Sequence, residues 1–456
     1  MADDAGAWLA RAAAARAGQR MEEALDAIGK AAALAPDAPQ VVLGLAQIRF
    51  ECGLAAAPQF ARAAALLPQR PDVLRSHAMA LAAEGEPAAA DAMLDALVAD
   101  NPLWLDGHRA LASLRTTAGE HDFARSYARA IKAQPQVFGL RMALFHALCA
   151  AKRWDDARSV LNAAESNLGQ QRASIMGRAY LLSESGEGAD NPTLFDALEG
   201  EQDTGLDLAR VRHFLRGGQI ERARDVALRH RGAPTMGAFW PYLSLAWRLL
   251  GDPQAEWLDR GMDFVRAFDT ELTTPDLAEL ATTLRTLHTA QAPWHEQSVR
   301  GGTQTERPLL LRLDPVIQRA RAAIERAVRA YIDALPAPDP AHPLLSRPRG
   351  EFLFSGSWSV RLRPQGFHAS HTHPMGWISS ALYVTVPQGD DLGPPPAGHL
   401  RFGTPPPELG LPLEPYGDIA PEPGRLALFP STMWHGTVPF ADGERMTIAF
   451  DIVPKP

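Results

Sequence analysis

The apolar positions of the first 165 residues recur at helical spacing, and the pattern repeats itself. Trp8, Ala12, Ala15, Ala24, Ile28 and Ala31 are followed, at the same offsets, by Leu74, Ala78, Leu81, Ala90, Leu94 and Leu97. Prolines at 36, 68, 102 and 135 close successive Ala/Leu-rich runs, with spacings of 32, 34 and 33 residues. Small residues at these points let two antiparallel helices pack closely. Proline ends the second helix, because it lacks an amide hydrogen and its ring clashes with the preceding turn. The segment therefore predicts a row of helical hairpins. Residues 166–270 continue in helix-like sequence without that regularity, for example over 219–229 and 242–250. Two further helices are predicted over 277–287 and 315–335. Beyond about residue 345 the texture changes. Pro, Gly, Trp and Phe become frequent, and apolar and polar residues alternate in short stretches as in half-buried strands. Strands are predicted over 378–386, over 424–435 (ending in a turn) and over 444–451.

The hairpin pattern resembles the tetratricopeptide repeat, whose period is about 34 residues. Four units span roughly residues 5–165. The resemblance implies a solenoid whose concave face binds a protein or peptide partner. Trp240, Trp247 and Trp257 are expected in the core before they are expected in a peptide groove. The chain has 456 residues, 46% of them hydrophobic, enough for about two to four domains. With 45 Lys+Arg against 53 Asp+Glu the net charge is −8, and no long basic run occurs. That balance argues against nonspecific binding to nucleic acid or to anionic membranes. Cys52 and Cys149 are the only cysteines, which excludes a disulfide scaffold and a cysteine zinc finger and fits a reducing compartment. The uncharged stretch 232–247 contains two prolines and is too short to cross a bilayer. The acidic start does not read as a signal peptide. The expectation is a cytoplasmic multidomain α + β protein. TPR-like helical repeats occupy 1–165, degenerate or capping helical repeats 166–270, and a β domain 271–456 with buttressing helices at 275–335.

Candidate chemistry is concentrated near the C-terminus, where five of the 14 histidines fall between 368 and 435. His371 and His373 are two apart, so on a strand they share a face. His435 ends a distant strand, and Arg445 stands ten residues beyond it.

This layout resembles the Fe(II)/2-oxoglutarate-dependent oxygenases, which are double-stranded β-helix (jelly-roll) proteins. Within them it is most similar to a bacterial group that joins tetratricopeptide repeats to an oxygenase domain of this kind. The residues that carry the likeness are His371-Thr-His373-Pro, Ser298-Val-Arg-Gly-Gly-Thr-Gln-Thr305, Trp377-Ile-Ser-Ser and Phe429-Pro-Ser-x-x-Trp-His435. The resemblance implies Fe(II) on His371, His373 and His435, and 2-oxoglutarate as co-substrate. Its far carboxylate would lie on Arg445 with Thr447, and Tyr383 is a further candidate for the same group. Arginine suits the task because its fork pairs bidentately with a carboxylate. The implied activity is a dioxygenase that converts 2-oxoglutarate to succinate and CO2 while hydroxylating a substrate, a protein or peptide if the repeats recruit it. His373 stands where the commoner pattern has Asp, so two alternatives stay open. One is a non-catalytic repeat scaffold with a vestigial metal-binding jelly roll. The other is a three-histidine dioxygenase that does not use 2-oxoglutarate. His368, at an odd offset from His371, is expected beside the ligand set rather than in it. His399 is expected in a loop, and Arg361 and Arg363 on a strand that faces either the pocket or solvent. Residues 300–305 read as a substrate or co-substrate loop, or as a polar connection between a helix and the next element. The Pro-rich stretches 392–396 and 404–416 read as surface excursions over the pocket mouth.

Overall fold

A computed structural model describes residues 4–455. Its first half is a succession of helical hairpins. They pair α1 (Ala5–Ala17) with α2 (Met21–Leu34), α3 (Pro39–Glu51) with α4 (Ala57–Leu66) and α5 (Pro71–Ala83) with α6 (Pro87–Asp100). Then α7 (Leu105–Thr117) pairs with α8 (Arg125–Ala133), and α9 (Phe138–Ala150) with α10 (Trp154–Leu168). Pro36, Pro68, Pro102 and Pro135 each lie two residues beyond the second helix of a pair. The fully buried Ala15, Ala24, Ala31, Ala46, Ala63, Ala78 and Ala90 let neighbouring helices approach closely. The stretch holds five hairpins rather than four. The fifth lacks a closing proline and ends instead at Gly169, whose φ of +76° suits a residue without Cβ.

Helices α11 (Arg172–Glu184), α12 (Thr204–Arg216), α13 (Ile220–Leu228), α14 (Trp240–Leu250) and α15 (Gln254–Asp259) extend the array. Trp247 is fully buried, and the Trp240 ring lies 6.3 Å from it and 5.9 Å from that of Trp257. These tryptophans build a core. Among the described residues, no helix is long and apolar enough to cross a membrane.

The strands are β1 (Arg266–Asp269), β2 (Val299–Gln304), β3 (Phe352–His368), β4 (Ile378–Thr385), β5 (Leu400–Phe402), β6 (Gly417–Ile419), β7 (Arg425–Pro430), β8 (His435–Thr437) and β9 (Arg445–Pro454). A six-stranded antiparallel sheet, ordered β1-β7-β4-β9-β3-β2, packs against a three-stranded sheet, β6-β5-β8. This is a jelly-roll arrangement. Helices α16 (Thr274–Leu287) and α17 (Pro315–Asp333) cover the outer face of the large sheet. Strand alternation divides the side chains. Met446, Ile448, Phe450 and Ile452 join Leu284, Ile317, Ile324 and Val328 in the core beneath the helices. Arg445, Thr447 and Ala449 point the other way and line a cavity toward the small sheet.

Three expectations are corrected. β1 begins at Arg266, ahead of residue 271; at four residues it was too short to show alternation, yet it pairs with β7 throughout. Residues 300–305 are neither a substrate loop nor a mere connection, because most of them form β2, hydrogen-bonded to β3. Their two glycines imitate a loop but belong to a register shift between Arg300 and Gly302, where Gly301 has φ +69°. The 404–416 stretch is no free excursion. Leu409 is buried among Phe214, Leu243 and Trp247 of the helical part, and Arg216 donates to the Glu408 carbonyl at 3.0 Å.

The two halves meet along the hairpin turns. Leu313 N donates to Cys52 O (3.1 Å), and Gln291 N to Thr117 O (2.8 Å). Glu296 pairs with Arg109 (2.6 Å). The Gln19 amide exchanges two bonds with the Phe354 backbone, at 2.8 and 3.0 Å. At the far end Trp434 Nε1 donates to Pro241 O at 2.8 Å. There a Cβ on Gly237 would stand 2.5 Å from Pro374 O. We expect Gly237→Val to destabilise the protein by about 1–3 kcal/mol through overpacking. Gly29→Ala, in open space on α2, should stabilise it by about 0.5–1 kcal/mol. Denaturant titration checks both, and an unchanged Gly237→Val midpoint would contradict the close approach.

Candidate active site

The cavity is built from the ends of strands. His371 and His435 form an isolated antiparallel bridge, exchanging N–H···O bonds of 2.9 and 3.1 Å. That pairing sets their rings side by side, with centroids 4.2 Å apart. His373, anchored by its N–H to Ser431 O at 2.8 Å, brings its ring within 5.0 Å of His371 and 5.2 Å of His435. One ring nitrogen from each lies within 4.8 Å of the others. The opposite nitrogens are tied down. Nδ1 of His371 faces Ala369 O at 2.8 Å, that of His435 faces Met433 O at 3.0 Å, and that of His373 faces Asp451 Oδ2 at 2.6 Å. Carbonyl and carboxylate oxygens only accept, so each Nδ1 carries a hydrogen and each Nε2 is the ring atom left to face the cavity. His373 Nε2 is buried without a partner. Ser298 Oγ meets His371 Nε2 at 3.2 Å and His368 Nδ1 at 3.0 Å. Burial, reinforced by the neighbouring imidazoles, holds His371 and His435 well below the usual histidine range, so both are neutral. Convergent lone pairs on imidazoles oriented from behind form a donor set that fits a transition-metal ion.

The other end of the cavity holds a cation. Arg445, on β9, is 2% exposed and its Nε has no partner. No carboxylate among the described residues pairs with it. Its neighbour Glu444 turns outward to Arg285 (2.7 Å) and Arg361 (2.5 Å). Tyr383, directly across the β4–β9 ladder from Thr447, lies with its ring 5.0 Å from the Arg445 guanidinium carbon. Burial raises the pKa of its hydroxyl, against the opposing charge and hydrogen bonding of Arg445. A buried guanidinium without an anion is costly, and its fork has the shape of a carboxylate's complement.

His371, His373, His435, Arg445, Thr447 and Tyr383 thus come together across β4, β8, β9 and the 371–373 segment, all but Tyr383 bordering the cavity itself. That segment bridges β8 at His371 alone and forms no continuous strand. His368, the last residue of β3, also lines the cavity and stacks at 19° on His371. Burial lowers its pKa to about 3, with Arg445 adding to the effect. Arg361 is engaged by Glu444 and Arg363 is exposed, so neither lines the cavity. His399 sits in a loop against Asp418 at 2.6 Å. Sequence reasoning gave no role to Asp451, Ser298 or Trp358, whose indole lies parallel to His373 at 5.7 Å. For Asp451 a signal existed, since it shares strand parity with Arg445 and Thr447.

Residues 356–451 match a family model described as "Putative 2OG-Fe(II) oxygenase". The C-terminal part of the chain carries a 2OG-Fe(II) oxygenase-family domain. The three histidines and Arg445 fall inside the matched span of this oxygenase domain, Asp451 is its last residue, and Ser298 lies outside it. No curated protein matches the sequence. Among solved structures, a Pseudomonas putida prolyl-4-hydroxylase is similar at 17% identity and TM-score 0.30, covering 42% of this chain and 92% of its own. HygX from Streptomyces hygroscopicus, determined with nickel, 2-oxoglutarate and hygromycin B, is similar at 12% identity and TM-score 0.30, covering 42% and 83%. A tetratricopeptide repeat protein from Parabacteroides merdae is similar at 16% identity and TM-score 0.33, covering 53% and 98%.

Two predictions follow from the charges in and around the oxygenase domain's cavity. Arg445→Met removes an uncompensated buried cation, so the ligand-free protein should melt at the same or a higher temperature; a marked fall would reveal an internal anion. The second concerns acid. Burial lowers His288, held between Thr303 Oγ1 (2.9 Å) and Ser359 Oγ (3.0 Å), to about 4. In the unfolded chain histidines titrate near about 6.5, so the unfolded state takes up protons first. Stability present above about pH 6.5 is then lost as pH falls toward about 4, by on the order of 3 kcal/mol for this residue. His288→Gln should flatten that slope in pH-dependent denaturation.

Proposed function

We propose that this chain is an Fe(II)- and 2-oxoglutarate-dependent oxygenase of the hydroxylating type. One observation carries the reading. A single cavity is lined by three imidazoles whose ring nitrogens converge and by a buried guanidinium with no carboxylate partner among the described residues. His371, His373 and His435 would hold the iron, and Arg445 the far carboxylate of 2-oxoglutarate. Thr447 and Tyr383 would add hydroxyl donors. When bound, iron and 2-oxoglutarate supply the activation of O2 that hydroxylation needs. The chain's own part is to orient and to exclude water. The Ala369 and Met433 carbonyls and the Asp451 carboxylate aim the ligands, while Trp358 and Phe429 wall the cavity. Arg445 offers the N–H donors of a guanidinium fork from a buried position, 2% exposed, where bonds to a carboxylate are stronger than at a surface.

The substrate reading is a protein or peptide. The hairpin turns are taken up by the chain's own 291–313 segment, so such a substrate would lie on the helix faces. A groove of about 270 Å³ runs there, lined by Leu9, Ile28, Leu43 and Ile48. Cys52 and Cys149 are buried free thiols, which supports a cytoplasmic setting.

Uncoupled turnover tests the assignment. The wild type should form succinate from 2-oxoglutarate in an Fe(II)-dependent reaction, His435→Ala should form none, and Arg445→Met should lose at least about 100-fold, as when a charge-assisted pair is removed. Oxygen uptake without succinate would favour the three-histidine dioxygenase instead, and neither signal would favour the scaffold.

A further inference from the structure

The histidine at 373 leaves the three imidazoles without the carboxylate that the commoner oxygenase pattern places in contact with iron. The structure supplies a carboxylate one bond further out. Asp451 Oδ2 lies 2.6 Å from His373 Nδ1, and its Oδ1 accepts from Ser379 Oγ at 2.5 Å. Ser379 Oγ also lies 2.9 Å from Ser431 Oγ. A hydroxyl has one hydrogen to give, so Ser379 donates to Asp451 and accepts from Ser431. The chain of bonds runs Ser431 to Ser379 to Asp451, and the second carboxylate oxygen takes the His373 Nδ1 hydrogen. Asp451 has no arginine or lysine partner among the described residues; its only ion-pairing contact is His373, with side chains 13% and 17% exposed. Gly376 leaves room for this assembly, since a Cβ there would stand 2.5 Å from Ser431 Oγ and 3.3 Å from Asp451 Cβ.

We propose that Asp451 is the positioning residue of the metal site: its carboxylate, held by Ser379, fixes His373 with Nε2 facing the cavity and returns to an all-imidazole ligand set the negative charge missing at position 373. The proposal rests on the metal-site reading above. Two features separate it from a packing role. The partner of His373 is a charge, whereas those of His371 and His435 are neutral carbonyls. That charge lies behind the one ligand whose Nε2 is buried and otherwise unbonded. A carboxylate behind an imidazole raises its basicity and locks its tautomer, and loss of such a partner typically weakens metal binding by about 10–100-fold.

Co(II), read by its visible absorption, is the probe, titrated into the full chain of the wild type, Asp451→Asn, Ser379→Ala, His373→Ala and the Asp451→Asn/His373→Ala double variant. Asp451→Asn keeps size and one acceptor but removes the charge. It should bind Co(II) about 10–100-fold more weakly and shift the absorption bands. Ser379→Ala, which keeps the charge and loosens its hold, should show a smaller loss of the same sign. In the His373→Ala background Asp451→Asn should cost nothing further, because its effect passes through His373. Wild-type-like affinity in Asp451→Asn, or equal losses in the presence and absence of His373, would overturn the proposal. Absence of Co(II) binding by the wild type would overturn the metal reading itself, and this inference with it. If Asp451→Asn does not fold, Ser379→Ala decides, and unchanged affinity and bands there would overturn the proposal.

Discussion

Strand β9 must satisfy two environments at once, and the rest of the domain follows from how it does so. It lies between β4 and β3 in the large sheet, so its backbone hydrogen bonds are satisfied on both sides. Its even-numbered side chains close the core under α16 and α17. Its odd-numbered side chains are therefore forced into the space facing the small sheet, whether or not their polar groups find partners there. A one-residue slip would bury Met446 and Ile448 in the cavity and drive Arg445 into the core. The apolar packing under α17 thus holds an unpaired cation in place.

The same division explains what could be read from the residues alone. The hairpins were legible because proline and alanine act locally: one ends a helix, the other lets two helices touch. The fifth hairpin escaped because its stop is a glycine at positive φ, which carries no apolar periodicity. Strand β2 escaped because Gly301 and Gly302 resemble a loop, while their reason for being glycine is non-local: a Cβ on Gly302 would stand 2.5 Å from Arg361 O across the ladder. At the site, the spacing of His371, His373, His435 and Arg445 pointed to a shared cavity. Ser298 belongs to a motif of the likeness, but nothing in its neighbourhood shows that strand pairing of Val299 with His368 brings it to the histidines.

The helical part is more than an appendage. Its turns carry the 291–313 segment, which delivers Ser298 to the cavity. Its last helices contact both ligand-bearing loops, with Gly237 against Pro374 beside His373, and Pro241 holding Trp434 beside His435. These contacts make the geometry of the histidines depend on the array. A ligand on the helix faces that altered the curvature of the array would act on the site through packed, stiff contacts.

In the proposed function one cavity binds iron through three imidazoles and 2-oxoglutarate through Arg445. The most direct measurement is an anaerobic titration of the protein with Fe(II) and 2-oxoglutarate, followed by the visible charge-transfer band of the chelated metal. The expected result is a band that requires both components, saturates at one equivalent of iron and weakens strongly in Arg445→Ala. Iron that binds without any band on adding 2-oxoglutarate would contradict it.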